Sequence, residues 1–447
     1  MEKNTAIIGS GITGLTTAFY LKKTGIKFKI FEKTNHFGGV INTVSENGFV
    51  FETGPNSGTL SNIETVELFE YLAGNFELET ADETAKKRLI LKNNKWYALP
   101  SGLFSGISTP LFNVKDKFRL LAEPFRKSGN NPFETISELV IRRMGNSFLD
   151  YAVDPFISGI YAGDTNYLVT KYALPKLYKL EQQYGSFIGG AIKKSKEPKS
   201  EQDKKVTKKI FSAQGGLSKI VNALVKYIGE ENIILNSKIE VKKNDRFYNV
   251  ENEVFSHVVN TANAGELSSL FPFLHKEYLK DISNLVYAQV AEIAIGFKEW
   301  KGIDLDAFGG LIPSKERKNL LGILFMSSIF KNRAPEKGAL LTTFVGGIKN
   351  NKLSEMPDDE LLKLVKPELQ ELLVLKTFNP DLIKIFYHKK AIAQYGADSK
   401  KRLQAIERLE KENKNLFLAG SMRDGISLAD RIKQGTELAE IIIKSNS

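Results

Sequence analysis

One short segment near the start of the chain limits its possible folds more than any other. The apolar run Ala6-Ile7-Ile8 leads directly into Gly9-Ser10-Gly11-Ile12-Thr13-Gly14, a GxGxxG motif between a predicted strand and a predicted helix. The first glycine permits a tight turn, the second allows a ligand to approach the backbone, and the third lets the helix pack on the strand. The helix that follows offers unpaired N–H groups and the positive end of its dipole. The motif therefore predicts a pyrophosphate-binding turn.

The residues after this turn complete a strand–helix–strand unit. A helix is predicted over residues 15–24, Gly25 ends it, and a second apolar strand is predicted over Lys27–Phe31. Glu32 stands at the carboxyl end of that strand, where an acidic side chain can bind a ribose 2′-hydroxyl. The complete unit therefore predicts an adenine dinucleotide as the ligand.

Two further segments indicate which dinucleotide binds. Gly38-Gly39 follows Glu32, and after a predicted hairpin comes Phe51-Glu52-Thr53-Gly54-Pro55-Asn56-Ser57. The Gly-Gly pair alone suits a hairpin turn equally well. In this order, however, the segments resemble the FAD-dependent amine oxidase and phytoene desaturase superfamily. The resemblance implies FAD, with the Gly-Gly segment near its pyrophosphate and residues 51–57 close to the isoalloxazine.

Length and composition restrict the other classes of site. A chain of 447 residues exceeds what one hydrophobic core supports, and it predicts roughly three domain-sized units. The absence of cysteine excludes disulfides, thiolate nucleophiles and thiolate metal ligands. The four histidines are widely scattered, so we expect no metal site; they are His36, His257, His275 and His388.

The predicted architecture is an α/β fold with a Rossmann-like FAD-binding domain, an inserted α+β substrate domain and a mainly helical domain. Residues 1–85, 205–270 and 388–447 are assigned to the first, 86–108 and 271–387 to the second, and 109–204 to the third. Within the first domain, alternating apolar residues predict strands over residues 232–241 and 247–254.

Charge and hydropathy bear on partners and location. The net charge is +11, which favours anionic partners. No nucleic-acid-binding module is recognisable, so nucleic acid is not an expected partner. The first strand begins within about five residues of Met1, and no apolar run reaches the roughly 18 residues that span a bilayer. We therefore expect a cytoplasmic protein that could bind peripherally to an anionic membrane face. The oligomeric state stays open.

Four segments along nearly the whole chain resemble one family, the oxygen-dependent protoporphyrinogen oxidases. The first is the FAD-binding region that ends with residues 51–57. The second covers residues 153–164, Val-Asp-Pro-Phe-Ile-Ser-Gly-Ile-Tyr-Ala-Gly-Asp, and continues to residue 186. The third runs from Phe325-Met326-Ser327-Ser328 through residues 332–335 and 342–347. The fourth covers residues 418–428, Leu-Ala-Gly-Ser-Met-Arg-Asp-Gly-Ile-Ser-Leu.

The resemblance implies an activity and a set of substrate residues. Members of this family remove six electrons from a porphyrinogen in three two-electron steps, using FAD and then O2. Arg88 aligns with an arginine that pairs with a substrate propionate, since a planar guanidinium binds a carboxylate through two parallel bonds. Phe325 matches an aromatic residue that stacks on a pyrrole ring, Leu311 would form the opposite wall, and Gly159 would admit the macrocycle close to the backbone. Asn56 is the one candidate that could polarise the flavin or the reacting edge.

The motifs and the resemblance together also predict the FAD-binding residues. Ile239 would present its backbone to the adenine from a strand, and a helix over residues 427–444 would direct its N-terminal dipole at the reduced flavin. The complete set is Gly9, Gly11, Thr13, Gly14, Glu32, Lys33, Gly38, Gly39, Gly54, Pro55, Ile239, Gly420, Ile426, Ser427 and Leu428.

Three alternative functions remain open at the level of sequence. Coproporphyrinogen III carries four carboxylates instead of the two of protoporphyrinogen IX, and the basic charge of the chain mildly favours it. A more distant alternative is an amine oxidase or a desaturase of apolar polyenes. A flavin-bearing interaction protein without turnover is the third.

Overall fold

The computed structural model describes residues 4–100, 102–198 and 200–446. A parallel sheet of five strands holds the N-terminal motif. Its interior strands are apolar and largely buried, as expected for a sheet covered on both faces. The strands lie in the spatial order Ile233–Ile234, Lys27–Phe31, Asn4–Ile8, His257–Asn260 and Leu416–Leu418.

Two layers cover this sheet because successive side chains of each strand point to opposite faces. Ile7 packs into a core with three helices, and Ala6 and Ile8 pack into a second core on the other face. The helices of the first layer are Ile12–Lys23, Ser218–Ile228 and Leu428–Asn446. The second layer holds the small sheet Val241–Asn244, Phe247–Val250 and Glu253–Phe255 and the helices Leu267–Leu270, Lys276–Ser283 and Ser399–Glu412.

The strands predicted over residues 232–241 and 247–254 are each interrupted. Asn236 and Glu251 adopt left-handed backbone conformations, with φ of 55° and 53°. Such a residue ends an extended run. The first segment therefore contains the two-residue strand Ile233–Ile234 and reaches the next strand, Val241–Asn244, only at its last residue. The second turns back into the strand Glu253–Phe255.

A seven-stranded sheet forms the second unit. It is antiparallel except that Arg88–Lys92 runs parallel to Gly309–Leu311. The helix Asp358–Leu372 packs on one face and closes an apolar core there. The spatial order is Leu382–Ala393, Tyr287–Phe297, Ala339–Gly346, Leu320–Leu324, Gly309–Leu311, Arg88–Lys92 and Lys95–Ala98.

Helices dominate the chain between residues 103 and 205. Arg143 lies at the centre of this region with 0% of its surface exposed, and it forms ion pairs with Glu123 and Glu181, which are equally buried. Removing one partner of such a buried group leaves an uncompensated charge, so the triad holds its helices together. The α-helices are Leu103–Ser108, Val114–Leu121, Ile136–Arg143, Asn146–Phe148, Asp154–Tyr161, Thr170–Ala173, Pro175–Tyr184, Phe187–Ser195 and Glu201–Lys205, with a π-helical turn at Leu149–Val153.

Short elements connect these units. They comprise the hairpin Thr43–Glu46 and Phe49–Glu52, the small sheet Gly58–Thr59, Ile210–Ala213 and Leu78–Thr80, and the helices Ile63–Tyr71 and Met326–Ile329. Across the part of the chain that the structure describes, no helix combines the length and apolar character needed to cross a bilayer. The predicted α/β organisation around a Rossmann-like domain is confirmed.

Candidate active site

The GxGxxG turn and the Gly-Gly segment lie against each other. The Gly38 N–H donates to the carbonyl of Ser10 at 2.9 Å, and a methyl group at Gly39 would lie 3.1 Å from the Gly11 Cα. A methyl group at Gly14 would lie only 2.1 Å from the Gly9 carbonyl oxygen, whereas one at Gly11 would meet nothing within 4 Å. The turn is thus tight where the helix packs on the strand and open at Gly11, the position where a pyrophosphate must approach the backbone.

Glu32 is buried at the end of its strand with both carboxylate oxygens engaged. Ser10 donates its N–H and its hydroxyl to Oε2, each at 2.9 Å, and Thr34 donates the equivalent pair to Oε1 at 2.9 and 2.8 Å. Burial opposes ionisation, but these hydrogen bonds outweigh it and hold the pKa of Glu32 below its usual value. The two hydroxyls can rotate away, so a ribose hydroxyl could replace either of them.

At the carboxyl ends of the parallel strands, the turn at Gly420 lies next to the N-terminal GxGxxG turn. A methyl group at Gly9 would lie 2.6 Å from Thr261 Oγ1, and one at Gly420 would lie 2.8 Å from the Thr261 carbonyl. The Thr261 hydroxyl donates to the carbonyl of Ile8 at 2.8 Å. Thr261 therefore joins the N-terminal and C-terminal turns.

Arg431 organises the C-terminal turn. Its guanidinium, which is 9% exposed, donates to the carbonyls of Gly420, Arg423, Asp424 and Gly425. It does so from the first turn of the helix Leu428–Asn446, where the helix dipole disfavours a cation. That unfavourable position is the sequence signal that could have identified Arg431, which sequence reasoning missed.

The start of this last helix is fixed to the first helix. The Ser427 N–H and hydroxyl exchange hydrogen bonds with Asp430, which forms a reciprocal cap. The Thr13 hydroxyl donates to the carbonyl of Arg431 at 3.2 Å, and a methyl group at Gly435 would lie 2.6 Å from the Thr13 carbonyl. Ile426 and Leu428 pack partly buried on either side of Ser427. Thr13 thus supports the fold of the turn through its side chain.

One predicted cofactor residue lies differently from expectation. Ile239 is not in a strand, because the chain leaves the sheet after Ile234 and hydrogen-bonds along Glu32 and Thr34 instead. The loop that contains Ile239 therefore still begins beside the predicted ribose position. Lys33 is exposed and pairs with Glu266, with Nζ 2.6 Å from Oε1.

The Gly54-Pro55-Asn56 segment packs against Val40, the residue directly after the Gly-Gly pair. A methyl group at Gly54 would lie 2.1 Å from the Val40 carbonyl, so only glycine fits there. The Asn56 side chain is 7% exposed, and its nitrogen donates to the Gly54 carbonyl and to Glu292. Its oxygen Oδ1 is buried without a hydrogen-bond partner among the described residues.

Glu52, in the same segment, is a buried carboxylate whose partner sequence reasoning also missed. It accepts from the Thr43 hydroxyl and the Leu217 N–H, and Arg333 lies 3.5 Å away. Burial raises the pKa of Glu52 to about 7 in spite of these partners. Through Glu52, Arg333 ties the third segment of the resemblance to the first, and it also donates to Ser212 at 2.8 Å.

The predicted substrate residues Arg88, Leu311 and Gly159 come together on one face of the seven-stranded sheet. Arg88 pairs in register with Gly309, so its side chain shares a face with that of Leu311 two residues further along. A methyl group at Gly159 would lie 2.4 Å from Leu311 Cδ2. Arg88 is exposed, its guanidinium lies over the ring of Phe308, and no carboxylate within the described ranges forms an ion pair with it.

Phe325 lies apart from these three residues. Its ring is 0% exposed and packs in the core beneath the opposite face, together with Ile323. Because side chains alternate along a strand, Leu324 is the residue that shares the face of Leu311. Asp154 holds the helix of Gly159 against this sheet, accepting from the Ser314 N–H at 2.8 Å.

The residues at the strand ends fit an adenine dinucleotide. The turn is open at Gly11, a low-pKa carboxylate stands at the end of the second strand, and a third turn faces the first across Thr261. In an open parallel sheet the crevice at the carboxyl ends of the strands is where such ligands bind. Fold and site together define a dinucleotide-binding protein of the Rossmann type.

Comparison with known proteins names the family. The family model described as "Flavin containing amine oxidoreductase" matches residues 12–443, and the chain belongs to this family. It is therefore an FAD-dependent oxidoreductase.

Individual relatives cover nearly the whole chain. It is 31% identical to protoporphyrinogen oxidase 2 of Arabidopsis thaliana, over 99% of the chain and 94% of that protein. It is 24% identical to coproporphyrinogen III oxidase of Bacillus subtilis, over 97% and 96%. Among solved structures, a candidate protoporphyrinogen oxidase from Exiguobacterium sp. 255-15 matches with a TM-score of 0.82 at 21% identity, covering 99% of both chains. That structure supports the same fold.

Proposed function

We propose that this chain oxidises protoporphyrinogen IX to protoporphyrin IX. Six electrons and six protons leave the macrocycle in three steps, and each step converts one O2 into one H2O2. When bound, FAD supplies the redox chemistry, since no side chain of this protein can accept a hydride equivalent. The chain itself must hold both ligands and place them against each other.

The single observation that carries this proposal is the unpaired Arg88 beside Leu311 and Gly159. A porphyrinogen is a wide apolar macrocycle with propionates at its rim, so it needs an apolar wall and at least one accessible cation. Leu311 supplies an apolar wall, on which the helix packs closely at Gly159, and Arg88 has its guanidinium available for a bidentate bond to a carboxylate. The 31% identity to a protoporphyrinogen oxidase supports the same substrate.

The proposed FAD contacts follow from the geometry of the turns. Gly9, Gly11 and Gly14 with Gly38 and Gly39 would hold the pyrophosphate through backbone N–H groups. Glu32 would bind the adenosine ribose, with Lys33 and Ile239 near the adenine. The isoalloxazine would lie between two segments, one formed by Gly54, Pro55 and Asn56 and the other by Gly420, Ile426, Ser427 and Leu428.

Product fluorescence with two substrates tests the proposal. The purified holoenzyme is mixed in air with protoporphyrinogen IX or with coproporphyrinogen III, and porphyrin fluorescence is followed in each. We expect faster turnover of protoporphyrinogen IX at equal concentration. No porphyrin above the non-enzymatic rate with either substrate would refute the proposal.

Coproporphyrinogen III is the second candidate substrate. Relatives of that activity match the chain over nearly its full length, and the net charge of +11 suits a substrate with four carboxylates. Faster turnover of coproporphyrinogen III in the same assay would assign the chain to this substrate.

We further propose that the helix Val114–Leu121 binds an anionic membrane surface. Three exposed apolar residues recur at helical spacing in this helix: Val114, Phe118 and Leu121, which are 68%, 68% and 50% exposed. Phe125, in the 3-10 turn that follows, is 91% exposed. The exposed Lys115 stands in the same helix. Apolar residues with neighbouring cations are the pattern of a helix that lies in a membrane interface.

Sedimentation with vesicles tests this second proposal. The protein should pellet with vesicles that contain anionic lipid and much less with zwitterionic ones, and a Phe118→Ser/Phe125→Ser variant should lose binding. Val254→Ser is the matched control, because Val254 is 45% exposed in a different part of the fold. Equal sedimentation of the double variant and the control would contradict the membrane role.

A further inference from the structure

Glu292 is a buried carboxylate in the middle of the apolar strand Tyr287–Phe297. The residue is 1% exposed, and its neighbours Ala291 and Ile293 are fully buried. Burial raises the pKa of Glu292, and hydrogen bonding to His388 and Asn56 only partly opposes that effect. A carboxylate at such a position is costly for folding, so its contacts need an explanation.

The contacts of Glu292 determine the orientation of the Asn56 amide. Glu292 Oε1 accepts from Asn56 Nδ2 at 2.6 Å, and the same amino group donates to the Gly54 carbonyl at 3.1 Å. Glu292 Oε2 lies 3.4 Å from His388 Nε2, the distance of an ion pair when the histidine is protonated. A backbone carbonyl and an ionised carboxylate can only accept, so the Asn56 nitrogen must face both of them.

The remaining atom of that amide, Asn56 Oδ1, is an acceptor without a partner. It is buried, and none of the described residues donates to it. An unsatisfied buried acceptor costs free energy, which a ligand donor would recover. FAD and a porphyrinogen both carry ring N–H groups, so either ligand could supply the missing donor.

The sheet register aligns Glu292 with the substrate wall. Glu292 lies opposite Phe344, Phe344 lies opposite Gly322, and Gly322 lies opposite Leu311. Directly opposed residues point to the same face, so Glu292 and Leu311 share it at a separation of three strands, or about 14 Å. Asn56 reaches this face through its contact with Glu292, from the segment that follows the Gly-Gly pair.

We propose that Glu292 is a positioning residue that holds the Asn56 side chain with its oxygen toward the bound ligands, so that Asn56 accepts a hydrogen bond from a ring N–H group. The proposal rests on the proposed function for the identity of the ligands. A protonated Glu292, or a glutamine at this position, can donate to Asn56 and would allow the amide to turn over. The Gly54 carbonyl still favours the original orientation, so ionised Glu292 adds the second acceptor that holds the Asn56 nitrogen in place.

Other charged groups surround this arrangement. His388 reaches Glu292 from the strand Leu382–Ala393, where Lys384 lies on the same face and pairs with Glu46. Glu52 lies close enough for Glu292 to raise its pKa. On the strand Ala339–Gly346, the residue opposite Glu292 is the uncharged Phe344.

Glu292→Gln tests the proposal, with Glu368→Gln as its matched control. Glu368 also holds an asparagine, accepting from Asn319 Nδ2 at 2.9 Å, but it stands on the helix that packs on the other face. Two properties of each holoenzyme are measured from pH 5 to 9: the visible spectrum of bound FAD without substrate, and the rate constant of anaerobic flavin reduction by porphyrinogen. Urea unfolding of each variant provides the stability comparison.

We expect Glu292→Gln to lower the reduction rate constant between about 10- and 100-fold, the scale of a misplaced reacting group, and to remove its pH dependence. Glu368→Gln should match the wild type in both. A change in the FAD spectrum of Glu292→Gln without substrate would assign the N–H donor to the flavin. An unchanged spectrum with slower reduction would assign it to the porphyrinogen.

Wild-type spectrum, rate and pH profile in Glu292→Gln would overturn the proposal, and so would a loss of stability as its only change. If the wild type itself is not reduced by any porphyrinogen, the proposed function fails separately. In that case the pH dependence of the FAD spectrum decides the role of Glu292. The role is supported if Glu292→Gln abolishes this pH dependence, and it is overturned if the pH dependence remains.

Discussion

Gly14 and Gly11 stand three residues apart, yet replacing each by alanine should change a different property. Gly14→Ala should lower the stability of the protein, whereas Gly11→Ala should lower its affinity for FAD. A methyl group at Gly14 would lie 2.1 Å from the Gly9 carbonyl oxygen, against an ordinary contact distance of at least 3.4 Å. The helix Ile12–Lys23 would have to move by about 1.3 Å from its strand, at the 1–3 kcal/mol typical of overpacking. Gly14→Ala should therefore destabilise the protein even without cofactor.

Gly11→Ala meets no such obstacle. Its backbone is extended, with φ of −67° and ψ of 172°, and the added methyl group would contact nothing within 4 Å. The apoprotein should lose no more than about 1 kcal/mol, since alanine is only a poorer N-cap than glycine. The same methyl group would occupy the space through which the pyrophosphate approaches the backbone, so FAD affinity should fall at least tenfold, or about 1.4 kcal/mol.

Two titrations on each purified protein measure these effects. Urea unfolding of the apoprotein, followed by circular dichroism, gives the stability, and quenching of flavin fluorescence gives the FAD dissociation constant. A Gly14→Ala apoprotein as stable as the wild type would refute the packing argument. A Gly11→Ala protein that binds FAD with wild-type affinity would refute the location of the pyrophosphate.

Three further predictions follow from individual side chains. Arg88→Ala should weaken porphyrinogen binding by about 1.5–3 kcal/mol with an unchanged FAD spectrum, and Arg88→Lys should recover only part of it; wild-type KM in Arg88→Ala would contradict the propionate contact. Arg431→Lys should lower unfolding stability by about 2–4 kcal/mol and release FAD more readily, because a lysine cannot bind four turn carbonyls; unchanged FAD retention would contradict this. Since the folded-state pKa of Glu52 is raised to about 7, stability should fall as pH rises through 7, and Glu52→Gln should flatten that slope in urea titrations at pH 5 and 8.

The sequence was sufficient to predict the elements whose local pattern is strong. The turn from Gly9 to Gly14, the strand before it and Glu32 after the next strand are all set by neighbouring residues, and the structure shows each of them. The resemblance added the distant segments around Gly54 and Gly420. It could not show that Gly9 and Gly420 meet at Thr261, because that contact depends on the order of strands in the sheet.

Two expectations differ from the structure, and each difference has a physical cause. Ile239 was expected in a strand because apolar residues alternate there, but the left-handed Asn236 ends the strand first. Phe325 was expected on the substrate face, yet it stands just after the strand Leu320–Leu324, at the start of a short helix, and packs into the core beneath the opposite face. Glu292 gave no usable signal, since its partner Asn56 is 236 residues away in sequence.

Anaerobic mixing of the holoenzyme with protoporphyrinogen IX tests the central claim most directly. The account predicts that the visible absorbance of the flavin is lost on mixing, and that admitting O2 restores it with formation of hydrogen peroxide and porphyrin fluorescence. A flavin that stays oxidised with both protoporphyrinogen IX and coproporphyrinogen III would contradict the assignment of this chain as a porphyrinogen oxidase.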